Sequence, residues 1–575
     1  MMNTRKHFRL FLPLLLSGVM IVALAGCRHT VEECVNDTTD LDEIGLNYGA
    51  NKRIEGTAYD TTLSVRCHNG IFVGTRAGGV RAWRGVPFAK VPVGERRFKA
   101  PEAADSSTLV FEAYHYGKKP ISQTYLEPIG PEHGEDCLNL NVFTGDDGKK
   151  GKPVMVWIHG GAFLVESAGN AYYRGDKFAQ AHPDVVLVTI DYRLGLFGFA
   201  DFEGIDGSEA FRGSANNGLL DQIMALRWVR DNIEGFGGDK DNVTIFGESA
   251  GGISVALLPI IDEAKGLFQK AIIQSGSAGN VAPRGYNRQA VRQLCEALKA
   301  NSMADLQRVD ISDLVSHLCD CGLMGMPYWP LPVADDGLIP ADPYQAYADG
   351  KAQGVKIMAG YTADECRYFL SWVKPQGGES AEATFGRWMG YCYERMKERM
   401  QPNHREIADQ YIAASGKSEG YAIADLMTEV GFGIGTRQLA TLSSRHSDTY
   451  LYHFAYPAMP LPQGASHTAE VPLLFHKDFP FINKGANYES LLRHLGEVWV
   501  SFAKSGVPTI DGVAVPKYDE VSRTVILFDE EGNTRLCPHL FDDREQQLLP
   551  LLRYERDALQ LNFAPLSQSF PDYGL

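Results

Sequence analysis

The sequence predicts an α/β fold built on a large, mostly parallel central sheet flanked by helices. Two observations carry this expectation. Short apolar runs rich in β-branched residues alternate with longer stretches at helical spacing, the pattern of strand–helix units. No internal repeat, low-complexity tract or Pro/Ser-rich linker divides the later chain, so 56–575 reads as one large domain with insertions. Of the 575 residues, 44% are hydrophobic and 22% charged, enough apolar surface for a large core and unlike a disordered or fibrous chain.

The first 26 residues read as a separate device. Arg5, Lys6 and Arg9 precede an apolar run from Leu10 to Leu24, too short for a comfortable span of about 20 residues but suited to a signal peptide. Its Leu24-Ala25-Gly26-Cys27 ending resembles the lipobox of bacterial lipoproteins, in which the cysteine is lipidated and becomes the mature N-terminus. An ordinary cleaved signal with an incidental Cys27 is the blander alternative. Residues 27–55 are polar and acidic, as a tether would be. The expectation is an exported protein of the cell envelope, on the periplasmic or outer surface, whose membrane contact runs through Cys27 alone. A net charge of −16 argues against binding nucleic acid or an anionic bilayer through a basic surface.

Export permits disulfides, and ten cysteines are present. Removing Cys27 leaves an odd number, and their pairing is open at this level. Cys319 and Cys321 form a Cys-x-Cys without a second cluster, a weak metal signature for which a structural role is the better reading.

Strands are expected at Val154 to Ile158, Val185 to Tyr192, Val243 to Phe246, Ala271 to Gln274, Val355 to Gly360 and Thr449 to Tyr456. Between two of them, Leu219, Ile223 and Leu226 recur at helical spacing, extended by Trp228 and Val229; Gly235 and Gly237-Gly238 mark the stop. The stretch from Trp372 to Leu426 is more helical and charged than its flanks and is expected as a helical cap or the side of a pocket, with a plain structural excursion as the alternative.

"NVTIFGESAGGISVALL" (Asn242 to Leu258) places Ser249 in G-x-S-x-G between a strand and a helix-compatible run. Such a pentapeptide arises by chance in a glycine-rich chain, so its context matters. A sharp strand-to-helix turn exposes the serine, and the residues two before and two after must be small. Serine needs a base to take its proton, an acid to orient that base, and donors for the developing oxyanion. "VMVWIHGGAF" supplies a loop without bulky side chains after a strand, at His159-Gly160-Gly161-Ala162, although Gly-Gly there also serves in a plain turn.

The ordered stretches "WRGVPFAKVPVGERRFKAP", "EDCLNLNVF", "VMVWIHGGAF", "DYRLGLFGF", "NVTIFGESAGG", "QSGS", "GYTADECRYFL" and "GASHTAEVPLLF" make the chain similar to the type-B carboxylesterase and cholinesterase family of α/β-hydrolases, from about Thr61 to about Leu561. The resemblance implies an α/β-hydrolase fold with N-terminal antiparallel strands and helical insertions. It assigns Ser249 as nucleophile, Glu365 as acid and His467 as base, in the chain order of that fold. It also implies that the N–H groups of Gly161, Ala162 and Ala250 form the oxyanion hole. Glu248 is a pocket carboxylate candidate. Asp364, Asp335 and Asp336 compete as acids, and His159, His453 and His476 as bases; residues alone do not choose among them, although His453 falls inside an expected strand.

Three departures stand out. Cys137 occupies a family disulfide position, but "KPISQTY" holds no partner, so the bridge is absent or remade with a residue such as Cys67. "TYLEPIGPEHGED" lacks the choline-stacking tryptophan of cholinesterases, which argues against quaternary ammonium recognition. Cys366 replaces the glycine expected after the acid. No metal or organic cofactor is implied: "GGDKDN" has Ala250 where a calcium loop needs its final carboxylate. The expected activity is carboxylic ester hydrolysis through an acyl-enzyme, acting on a small-molecule ester; a non-catalytic binding or adhesion module of the same fold is the alternative.

Overall fold

The protein is described by a computed structural model over residues 47–122, 129–318, 330–372, 378–460 and 462–562. The expected leader, Cys27, the tether up to residue 46, and the Cys319/Cys321 pair lie outside the described residues.

Eleven strands form one sheet: β1 (Thr75–Ala77), β2 (Val80–Pro87), β3 (Asn139–Gly145), β4 (Lys152–Ile158), β5 (Val186–Ile190), β6 (Gly238–Glu248), β7 (Lys270–Gln274), β8 (Lys356–Thr362), β9 (Thr449–Phe454), β10 (Thr524–Phe528) and β11 (Thr534–Pro538). Their order is β11-β10-β9-β8-β7-β6-β4-β5-β3-β2-β1. Pairing is parallel from β5 through β10 and antiparallel at both edges, including the expected N-terminal strands. All six strands expected from the sequence are present. The edge pair β10–β11 was not among them, because "TVILF" follows a polar loop and "TRLCP" has no apolar alternation of its own.

The central strands read as continuous apolar runs because both faces are covered. Within β4, Val154, Val156 and Ile158 join one core and Met155 and Trp157 the other, the two-residue alternation of a strand. Helix α1 (Asn217–Asn232) buries Leu219, Ile223, Leu226, Trp228 and Val229 as its spacing predicts. A 3-10 turn (Ile233–Phe236) follows it, and Gly237 at φ +93° ends the run. The helical region after the acid contains α2 (Ala381–Arg399), α3 (Pro402–Ala414) and α4 (Glu419–Thr428). From this region Tyr411, Lys417 and Asp425 line one side of a cavity of about 430 Å³ whose lining includes neither Ser249 nor His467.

Strand order sets the site. β4 lies beside β6, and the chain runs from β4 back to β5 but from β6 on to β7, so the connections diverge at the carboxyl ends of β4 and β6, a topological switch point. The loop from His159 leaves β4 there and Ser249 follows β6, with Ile158 and Gly247 in register.

No helix among the described residues is long and apolar enough to cross a membrane. Cys67, Cys137 and Cys537 are free thiols, so the bridge considered between Cys67 and Cys137 is not formed.

Candidate active site

Ser249 sits at φ +58°, ψ −122°, immediately before the helix Ala250–Leu257. That conformation is strained for an L-residue and is held by its surroundings. Ser249 N donates to Gln274 O at 3.0 Å, and its carbonyl accepts from Ile253 N at 2.8 Å. The flanking glycines explain how the turn fits. A Cβ on Gly247 would lie 2.5 Å from Ile158 O, and one on Gly251 would lie 2.0 Å from the same oxygen. Gly251→Ala is therefore expected to destabilise the protein by about 1–3 kcal/mol, as overpacking against fixed backbone does. Thermal unfolding checks this; an unchanged midpoint contradicts it.

The oxyanion candidates lie beside the serine. A Cβ on Gly160 would come within 3.2 Å of Ser249 Cβ. Gly161, Ala162 and Phe163 are all left-handed, at φ +88°, +58° and +60°. Successive residues of this kind turn their N–H groups toward a concave anion site. The N–H groups of Gly161 and Ala162 donate to no acceptor among the described residues, and Ala250 opens the helix whose N-terminus faces the turn.

Glu365 and His467 come together directly. Glu365 Oε2 pairs with His467 Nδ1. Glu365 Oε1 accepts from Ser275 Oγ at 2.6 Å and from Thr362 N at 2.7 Å. The Ser275 contact, in the "QSGS" stretch, was not revealed by the sequence, since nothing local to it signals a carboxylate 90 residues away. The opposite nitrogen, His467 Nε2, lies 3.1 Å from Glu248 Oε1. Ser249 Oγ makes no hydrogen bond to His467 among the described residues; catalytic hydrogen bonds in ligand-free sites commonly tighten only around substrate.

Carboxylates dominate the electrostatics. Burial alone would depress the His467 pKa, but Glu248, Glu365 and Glu470 raise it to about 9. Glu248 is fully buried, which pushes its carboxyl well above the usual range despite His467, with Glu470 and Glu365 adding to the rise. Burial also lifts Glu470 to about 7, against the hydrogen bond from Gln274 Nε2 at 3.0 Å. A π-helical turn (Glu429–Gly433) sets the Phe432 ring 5.0 Å from His467. Buried Glu429 pins that turn, pairing with Arg437 at 2.8 Å and Arg544 at 2.6 Å.

A model of the carboxylesterase family matches residues 61–541. The chain belongs to this family. It is similar to the para-nitrobenzyl esterase of Bacillus subtilis (strain 168), 34% identical over 495 residues that cover 83% of this chain and 96% of that protein. Carboxylesterase 1D of Mus musculus is 33% identical over 495 residues, 77% of this chain and 84% of that protein. Among solved structures, the Geobacillus stearothermophilus carboxylesterase EST55 at pH 6.2 superposes with a TM-score of 0.74 at 31% identity, covering 84% of this chain and 99% of that one. A PNB esterase gives a TM-score of 0.71 at 32% identity, with 85% and 100% covered.

Within this carboxylesterase-family chain the rival residues have other partners. Asp364 Oδ2 accepts from Ala465 N at 3.0 Å and Oδ1 pairs with Arg367 at 2.9 Å, so it clasps the segment of Glu365 to the one that leads to His467. Asp336 binds Asn216 Nδ2 at 2.6 Å. His453 packs between Tyr361 and Phe541, and burial lowers its pKa to about 3. His476 faces His182 at 3.3 Å, and His159 stacks on Tyr192. No group of three or more metal-ligating side chains occurs among the described residues.

Proposed function

We propose that this carboxylic ester hydrolase works through an acyl-enzyme formed on Ser249. Ser249 Oγ attacks the ester carbonyl carbon while His467 Nε2 takes its proton. The carbonyl oxygen becomes an oxyanion that accepts from the N–H groups of Gly161, Ala162 and Ala250. Collapse of the tetrahedral intermediate expels the alcohol, protonated by His467, and leaves an ester on Ser249. Water then repeats the sequence, with His467 again as base, and releases the carboxylic acid. Glu365 keeps the proton on Nδ1 and steadies the imidazolium.

The observation that supports this reading best is the convergence on one crevice: a strained serine, two uncommitted N–H groups, and a histidine whose far nitrogen is already paired with a carboxylate. A non-catalytic module would need none of these together. Hydrolysis of para-nitrophenyl acetate by the purified protein tests the reading, and its absence would count against it.

Glu248 should set the pH dependence. The base must be neutral, so activity falls as pH drops through the His467 pKa, and neighbouring carboxylates place that limb above the 6.5 of free imidazole. Glu248→Gln removes the carboxyl 3.1 Å from Nε2 whose charge raises the His467 pKa. The acid limb of kcat/KM is then expected to move to lower pH; an unmoved limb would deny Glu248 this role.

The reading extends to location. Export by residues 1–26, with Cys27 lipidated and the following residues as tether, is supported by the cationic start, the apolar run and the Leu-Ala-Gly-Cys ending. Cys27→Ser should release the protein from the membrane fraction; retention there would refute the anchor.

A further inference from the structure

The loop that carries Gly161 and Ala162 runs on to Glu166, an L-residue at φ +82°. A side chain in that region is strained where glycine would be free. Strain kept at the edge of an active site points to a use for the side chain. The geometry supplies one. A Cβ on Gly161 would lie 2.7 Å from Glu166 Cγ, so Glu166 packs against the same two-glycine segment that borders Ser249. Asn170 Nδ2 donates to Glu166 Oε2 and so orients the carboxylate, while Asn170 Oδ1 is fixed by Tyr172 N at 2.9 Å. The Tyr172 ring packs 4.8 Å from Phe479, and Tyr368 lies 5.8 Å from the His467 ring. Burial first, and the Glu166 charge with it, keep the hydroxyls of Tyr172, Tyr173 and Tyr368 protonated. That same charge adds to the rise at Glu248.

We propose that Glu166 selects substrate in this site, its carboxylate accepting N–H hydrogen bonds from a protonated primary amine carried by the ester. The inference rests on the esterase reading above and deepens it to a substrate class, amine-bearing esters. A carboxylate accepts charge-assisted hydrogen bonds from the N–H donors of an ammonium group. A quaternary ammonium offers no such donors. Aromatic faces nearby favour a cation further, and the net charge of −16 draws cations toward the protein.

The test compares esters that differ only in –NH₃⁺ against –CH₃. Para-nitrophenyl 6-aminohexanoate and para-nitrophenyl heptanoate place the difference on the acyl side; 6-aminohexyl acetate and heptyl acetate place it on the alcohol side. The kcat/KM ratio of charged to neutral ester is expected to fall at least about tenfold in both Glu166→Gln and Glu166→Gly, mainly through KM, in whichever arm meets the carboxylate. An unchanged ratio in both arms overturns the inference. So does loss in Glu166→Gly with retention in Glu166→Gln, which would assign the effect to backbone conformation. Failure of the unmodified protein to hydrolyse either neutral ester would instead overturn the esterase reading, and this one with it.

Discussion

Ser249→Ala is expected to lower kcat for para-nitrophenyl acetate by about four to six orders of magnitude, the scale seen when a triad nucleophile is removed. The substitution deletes only Oγ. The turn is held by backbone bonds from Ser249 N to Gln274 O and from Ile253 N to Ser249 O, and alanine makes both. The strained φ of +58° is borne by Cβ in either residue, so the fold should survive. Residual turnover would come from the oxyanion donors and from substrate positioning. Steady-state rates on the purified variant, with circular dichroism to confirm folding, check the result. Activity within tenfold of the parent would remove Ser249 from the mechanism.

The second large effect is expected at Glu365. Glu365→Gln should lower kcat by about three to four orders of magnitude although it keeps shape and volume. The reason lies in the donors that already fix the carboxylate. Ser275 Oγ and Thr362 N both donate to Oε1, so in glutamine the carbonyl oxygen must take that position. The amide NH₂ then faces His467 Nδ1, where a donor meets a nitrogen that should itself donate. His467 is driven to the tautomer protonated on Nε2, which cannot accept the proton of Ser249. If Glu365→Gln stays within tenfold of the parent, the acid has been misassigned.

The fold was largely legible because its signals are local. β4 and β5 are apolar on both faces, and α1 repeats its apolar face at helical spacing. The elbow was legible for the same reason: Gly247 and Gly251 are required by contacts with the neighbouring strand end at Ile158, and that requirement is written within five residues of sequence. The choice of Glu365 over Asp364 was not local. The two are neighbours, Asp364 in a bridge to Ser466 and Glu365 opening a 3-10 helix, and only their packed partners distinguish them. His467 meets Glu365; Arg367 and Ala465 N meet Asp364. Resemblance to a family made that choice where pattern reading left both open.

Ser275 and the contact of Glu248 with Nε2 were invisible for a related reason. Each depends on a pairing between strand ends far apart in the chain, Gln274 beside Gly360 and Glu248 beside Gln274, which no periodicity encodes. The pH dependence was not legible in the sequence either. An unperturbed histidine would titrate near 6.5, whereas the surrounding carboxylates raise His467 to about 9. Glu166 carried a signal in hindsight: a large charged residue ends a loop otherwise built of small and apolar ones.

The most direct test is mass spectrometry of the protein after reaction with a fluorophosphonate. The account predicts one adduct per chain, on the peptide containing Ser249, formed in step with the loss of ester hydrolysis. An adduct on another residue, or hydrolysis that persists with Ser249 fully modified, would contradict it.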